Sequence, residues 1–303
     1  MLEIRNKIFK RAINKNAKIV LPESEDGRIK EAVQELRLKG FYILDLEEFN
    51  FKEKKYIDYL SRLSFTKNWS KEMIISYLKN PLNLGATLVA LDDADGMVAG
   101  SVNSTADVIR TAIRIVGIEN KSKWVSSIFL MVHPDEKFIY TYTDCAVIPE
   151  PTSEQLAEIA KNAATFHQLL TNEEPIIAFL SFSTKGSSDH YRAKKIHDSV
   201  KIFGNKYPNF SFDGEIQFDA AINYEISNKK IKNSKINGSA NVFIFPNIDA
   251  GNIAYKITER LAGYSAWGPL LQGLKKPIHD LSRGCSVQDI IDITMVAALQ
   301  KIN

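Results

Sequence analysis

Short apolar runs that alternate with longer helical patterns limit this chain more than any other feature. Residues 18–21, 41–44, 96–100, 126–132, 138–142, 176–181 and 242–245 each read as a strand. Helical periodicity fills most of the gaps, at 27–38, 56–63, 70–78, 153–170, 190–203 and 249–261, with a last helix at 287–302. This order favours an α/β fold of mainly parallel sheets flanked by helices. The helix after residue 104 carries Val108, Ile109, Ala112, Ile113 and Val116 on one face. The helix at 249–261 is punctuated by Asp249 as a cap and Gly263 past its end, and Ile253, Ile257 and Leu261 are its expected buried stripe. At 303 residues two domains are expected, with a pattern break near 120–125.

Composition closes several routes. A net charge of +3 is too small to imply nucleic acid without a clustered basic face, and the Lys229–Lys235 run reads as a solvated loop. Only Cys145 and Cys285 are present, which argues against a disulfide scaffold and suits a reducing cytoplasm. The start shows no leader pattern, and no apolar run of about 18 residues would span a membrane.

Familiar catalytic signatures are missing: no G-x-S-x-G elbow, no phosphate loop of the G-x-x-x-x-G-K type, no G-x-G-x-x-G fingerprint and no zinc-type His or Cys spacing. Two loops instead look built for anions. Ser101-Val-Asn-Ser-Thr105 lies between a strand and a helix, where backbone N–H groups and hydroxyls would meet an anion, and Arg110 follows on that helix. Ser181-Phe-Ser-Thr-Lys-Gly-Ser-Ser188 follows another strand, at the end where α/β sheets bind ligands. The densest cluster is Asp280-Leu-Ser-Arg-Gly-Cys-Ser-Val-Gln-Asp289. Ser286 and Asp289 have capping-box spacing, so Asp289 can be a plain helix cap, a base on a rigid terminus, or both. His279 and Ser282 are three apart in an extended segment and face opposite sides, so they form no hydrolase pair. The acidic group Asp213, Glu215 and Asp219 is expected to pair with basic and backbone groups rather than with a metal.

The chain resembles the phosphate acetyltransferase (phosphotransacetylase) family over nearly its whole length. The resemblance is carried by Asp95-Gly-Met-Val-Ala-Gly100, Ser104-Thr-Ala-Asp-Val-Ile-Arg110, Asp144-Cys-Ala-Val147, Leu180-Ser-Phe-Ser-Thr-Lys-Gly186 and Asp213-Gly-Glu-Ile-Gln217. It continues through Ala240-Asn-Val-Phe-Ile-Phe-Pro246, Ala250-Gly-Asn-Ile-Ala-Tyr-Lys256, Gly268-Pro-Leu-Leu-Gln-Gly273 and, most specifically, Asp280-Leu-Ser-Arg-Gly-Cys-Ser286. It implies a two-domain protein with its active site in the cleft between domains: residues 1–121 with 275–303 in one domain, and 122–274 in the other. A cytoplasmic homodimer is implied too. Its substrates would be coenzyme A or acetyl-CoA and phosphate or acetyl phosphate, with no further cofactor. By position, Ser282, Arg283 and Asp289 correspond to the catalytic cluster. Arg110, Arg62, Ser104 and Thr105 correspond to the phosphate side, and Ser183, Thr184, Lys185, Gly186 and Asn252 to the coenzyme A side. Two departures stand out: the 41–56 segment is short, and Asn103 stands where a histidine is common in the family.

The implied reaction is direct attack of the coenzyme A thiol on the acetyl carbonyl. Asp289 would take the proton, Ser282 would hold the sulfur, and Arg283 and Arg110 would bind phosphoryl oxygens. Free groups with pKa values of about 3.9 and about 8.5 make that proton transfer about 6 kcal/mol uphill, so positioning and electrostatics must supply much of the rate. Alternatives are a phosphate butyryltransferase and a non-catalytic acyl-CoA or acyl-phosphate sensor. Coenzyme A binding without arsenate-dependent breakdown of acetyl phosphate would mark the sensor.

Overall fold

The computed structural model describes residues 4–120 and 122–301. The boundary residue 121, the first three residues and the last two lie outside them; the last helix, expected to run to Ile302, already ends at Leu299, capped by Gln300. The chain opens with α1 (Ile4–Ile13), β1 (Lys18–Val20), α2 (Gly27–Leu38) and β2 (Tyr42–Leu44). Three helices follow, α3 (Lys54–Ser61), α4 (Lys71–Leu78) and α5 (Pro81–Ala90), then β3 (Gly96–Ala99) and α6 (Thr105–Thr111). Periodicity missed α1 and α5. The signal for α5 was present: Asn80 caps Leu82 N–H and Pro81 takes the first helical position.

The middle of the chain forms β4 (Ser126–Val132), β5 (Ile139–Thr143), α7 (Ser153–Thr171), β6 (Ile176–Leu180), α8 (Tyr191–Lys206) and β7 (Ser211–Ile216). Short helices α9 (Phe218–Ile222) and α10 (Tyr224–Lys230) precede β8 (Val242–Ile244) and α11 (Ile248–Ala262). The chain closes with β9 (Ser265–Gln272), β10 (Ile278–Asp280) and α12 (Val287–Leu299).

These elements divide into two compact units, one of Trp124–Trp267 and one of Ile4–Lys123 with the chain from Gly268 onward. In the second unit the sheet order is β10-β3-β1-β2 and every pairing is parallel. Its core gathers Tyr56, Leu60, Leu78, Leu88, Met97, Val108 and Ile278, all fully buried. Each such side chain stabilises the fold by roughly 1.5–3 kcal/mol relative to exposure. α12 packs on α1, α2 and β3, and Arg5 pairs with buried Asp292 at 3.0 Å. In the other unit the order is β7-β6-β8-β5-β4, parallel across β7, β6, β8 and β5 and antiparallel at β5–β4.

One stripe faces the opposite way from the expectation. Ile253, Ile257 and Leu261 on α11 are 57%, 52% and 83% exposed. The inward face is made of smaller and aromatic residues: Gly251 is buried against Asp144, and Tyr255 stacks on Phe129 at 4.0 Å. Spacing found the stripe, but it could not tell which side the core would take. The start of this helix also differs, because Asn247 rather than Asp249 caps it; Gly263 ends it with φ 73°, as expected.

Candidate active site

β1, β3 and β10 run parallel, so the loops that leave their carboxyl ends share one edge of the sheet. The first loop contributes Glu23, which is buried. Its carboxylate accepts from the N–H groups of Gly100, Ser101, Val102 and Asn103, from Ser101 Oγ and from Asn103 Nδ2, at 2.7–3.1 Å. Burial alone would push this carboxyl up, but the hydrogen bonds from Asn103, Ser101 and Val102 outweigh it and hold the pKa below 4.5. The expectation that this loop offers its N–H groups to a substrate anion is therefore corrected for Ser101, Val102 and Asn103. The loop does form an anion nest, and the protein's own carboxylate fills it.

The second missed residue is Arg28, in the first turn of α2. Asp26 caps that helix and binds Arg28 through both carboxylate oxygens, which holds Asp26 at about 2. The remaining guanidinium protons reach the carbonyls of Arg283 at 2.9 Å, Cys285 at 2.8 Å and Ser101 at 3.1 Å. One side chain thus ties all three loops together. Its sequence signal was only an Asp-Gly-Arg start to a helix, which reads equally well as a solvated face.

On the loop so held, Ser282 and Arg283 are exposed. Ser282 Oγ accepts from Gly284 N at 3.3 Å, and the Arg283 guanidinium has no hydrogen-bond or ion-pair partner among the described residues. Asp289 Oδ2 accepts from Ser286 N and Oγ, both at 2.8 Å, and Ser286 Oγ accepts from Asp289 N at 3.2 Å, completing the capping box. Asp289 Oδ1 takes no part in it. Ser282, Arg283 and Asp289 therefore sit on one loop–helix junction. Cys285 beside them is buried, which pushes its thiol up to about 11. His279 is fully buried, accepts from Leu271 N at 3.1 Å and meets Gln300, and burial lowers it to about 4. It is a core histidine.

Of the expected phosphate-side residues, Ser104 caps α6 and donates to Asp107 at 2.7 Å, and Thr105 donates to Asp280 at 2.6 Å. Arg110 pairs with Asp107 at 2.6 Å, both about half exposed. Arg62 is exposed at the end of α3, and no contact among the described residues links it to these loops.

The expected coenzyme A loop belongs to the other unit and is shaped by acids from β7. Glu215 accepts from Ser183 Oγ at 2.6 Å and Gly186 N at 3.0 Å, and Lys185 pairs with Asp213 and donates to Gly214 O. Asp219 pairs with Lys230. The acidic group is thus spent on basic and backbone partners, as its composition suggested. Ser183 is fully buried, so its hydroxyl shapes the loop and does not face outward. Thr184 meets Gln217 at 3.3 Å, and Asn252 donates to Cys145 O at 3.1 Å.

Residues 34–298 match a family model described as phosphate acetyl/butaryl transferase. A phosphate acetyltransferase of Acetivibrio thermocellus is 38% identical, across 97% of this chain and 96% of its own length. One of Bacillus subtilis is 36% identical across the whole of both chains. The solved structure of a phosphotransacetylase from Streptococcus pyogenes superposes with a TM-score of 0.90, at 34% identity and over 98% of each chain. With this coverage, and with the Ser282–Arg283 loop and the Asp289 helix start set on one edge of a parallel sheet, the chain belongs to the phosphate acetyl/butaryl transferase family.

Proposed function

We propose that this protein catalyses acetyl-CoA + phosphate ⇌ acetyl phosphate + CoA, by direct attack of the coenzyme A thiol on the acetyl carbonyl. The observation that carries the reading is a guanidinium, Arg283, without an ion-pair partner among the described residues, on a loop held by Arg28, beside Ser282 and a carboxylate with one oxygen outside the capping box. A guanidinium free of internal partners suits a phosphoryl or carbonyl oxygen, where it forms charge-assisted hydrogen bonds. Neither cysteine is a credible acyl carrier: burial pushes the Cys285 thiol up to about 11 and holds that of Cys145 well above the ordinary 9.0. The scheme therefore needs no acyl-enzyme, and it uses no cofactor beyond the two substrates. The two compact units would be the family's two domains, with the reaction in the cleft that the resemblance implies. Acetyl rather than butyryl specificity belongs to the same proposal, as does a cytoplasmic setting, which two free cysteines suit.

Thioester absorbance with acetyl phosphate and coenzyme A tests the activity, and butyryl phosphate in parallel tests the acyl preference. Asp289→Asn separates base from cap. Asparagine can still accept from Ser286, so the helix loses at most about 1 kcal/mol. A lost general base lowers turnover by roughly 10²–10⁴-fold. A folded Asn variant with full turnover would leave capping as the whole role of Asp289.

The stripe Ile253, Ile257 and Leu261 supports the homodimer part of the proposal. Three large aliphatic side chains on one exposed helix face suit burial against a second copy. Light scattering on the wild type is expected to give a dimer mass, and Ile257→Glu to give a monomer with unchanged circular dichroism. A variant that stays dimeric assigns the contact to another face.

A further inference from the structure

Asp280 ends β10 and leads directly into the Ser282–Arg283 loop, and its side chain is fully buried. Oδ2 has a single partner, the Thr105 hydroxyl at 2.6 Å. Oδ1 has no hydrogen-bond partner among the described residues and lies against Gly100, where a Cβ would come within 2.3 Å of it. Gly100 has φ 117°, a conformation that glycine alone adopts without strain. The N–H of the same glycine donates to Glu23 at 2.8 Å. Two carboxyl groups therefore flank one glycine with very unequal support, six hydrogen bonds for Glu23 and one for Asp280. Close like charges do not both ionise readily, and the better-supported group keeps the charge.

We propose that Asp280 is a positioning residue held as a neutral carboxylic acid, which joins the Thr105 start of α6 to the Ser282–Arg283 loop without adding a second negative charge beside the phosphoryl site. The positioning role rests on the phosphate-transfer reading above; the neutral acid does not. Burial pushes Asp280 up to about 7; the Thr105 hydroxyl pulls it back, Glu23 pushes it further up, and the Leu281 N–H pulls it slightly down. Apart from the exposed Arg283, which makes no ion pair among the described residues, the other charged groups around it are already engaged. Arg28 of α2 is committed to Asp26 and to backbone carbonyls. α6 offers only the exposed Asp107–Arg110 pair, while α12 offers Asp289 on Ser286 and Asp292 on Arg5. His279, one residue earlier, is neutral near pH 7.

The sign is fixed by linkage. The folded pKa lies above the ordinary 3.8, so the folded chain holds an extra proton between the two values. Stability then falls as pH rises through that window, and it levels off above the folded value. In urea unfolding between about pH 5 and pH 7, the unfolding constant of the wild type should rise about tenfold per pH unit relative to Asp280→Asn, which carries no proton to lose. The ratio of wild-type to Asn kcat/KM should bend downward in the same range as the wild type ionises. Thr105→Val removes a bond that favours the charged form, so it should move the wild-type bend to higher pH; it carries the comparison if the Asn variant does not fold. Parallel stability curves for wild type and Asn overturn the neutral acid. A stability bend with a flat activity ratio overturns the positioning role. A stability bend in a protein without acetyl transfer leaves the neutral acid standing and removes the catalytic reading instead.

Discussion

Glu23→Ala is expected to destabilise the unit that holds the Ser282 loop by about 3–5 kcal/mol. The carboxylate accepts six hydrogen bonds, and those from Gly100 N and from Ser101 N and Oγ are buried. A buried donor left without a partner costs about 1–3 kcal/mol, while the donors of Val102 and Asn103 are less enclosed and can reach water. For a unit of this size the melting temperature should drop by about 10 °C. The loss should shrink on acidification. The Glu23 pKa is depressed below its ordinary 4.5, so its stabilisation is present above that value and disappears as pH falls through the lower folded one. Differential scanning calorimetry at several pH values reads both effects. Added formate or phosphate should raise the melting point of the variant more than that of the wild type, because the emptied nest can bind a free anion. A variant that melts within about 2 °C of wild type at neutral pH would show that water serves the nest as well as the carboxylate does.

Arg283→Ala should behave in the opposite way, with a nearly unchanged melting point and a collapse of turnover. Its guanidinium is exposed and makes no ion pair among the described residues, so the fold loses little, within about 0.5 kcal/mol. If it stabilises charge that develops as the thiol attacks, turnover falls by about 10²–10³-fold. Arg283→Lys should recover only part of this, since an ammonium cannot bind two oxygens side by side. Steady-state kinetics with acetyl phosphate and coenzyme A, beside a thermal melt, separates the cases. Near-wild-type turnover in a folded Ala variant would remove Arg283 from the mechanism. The two substitutions thus divide the site into an internal anion that builds the loops and an unpaired cation that meets the substrate.

Local chemistry in the chain was enough to place much of this. Asp26-Gly27 starts α2 and Leu38 ends it where periodicity expected, because a capping carboxylate and an apolar repeat act within one helix. The Ser286–Asp289 box and Gly263 are equally local, and both appear as read. The alternation of strand and helix determined the parallel sheets, since parallel neighbours need a crossover between them. The candidate residues Ser282, Arg283 and Asp289 fall on one junction because they are close in sequence.

Pairings between distant segments were decided only by the tertiary structure. Glu23 and Arg28 carried no signal beyond a polar loop and a helix start, and Asp280 only its place in a cluster; their roles appear when β1, β3 and β10 bring their carboxyl ends to one edge. The loop at 100–103 shows the difference most clearly. Its backbone chemistry announces an anion, but whether that anion is a substrate or an internal carboxylate depends on a residue 77 to 80 positions away. The α11 stripe has the same cause: a repeat of aliphatic residues defines a face, while the direction of that face follows from Gly251 and Tyr255 packing against β4 and the loop after β5. Sequence fixes what a segment can do within its own turn or strand; which partner satisfies a buried charge is a property of the packed chain, because only packing removes the water that would otherwise serve.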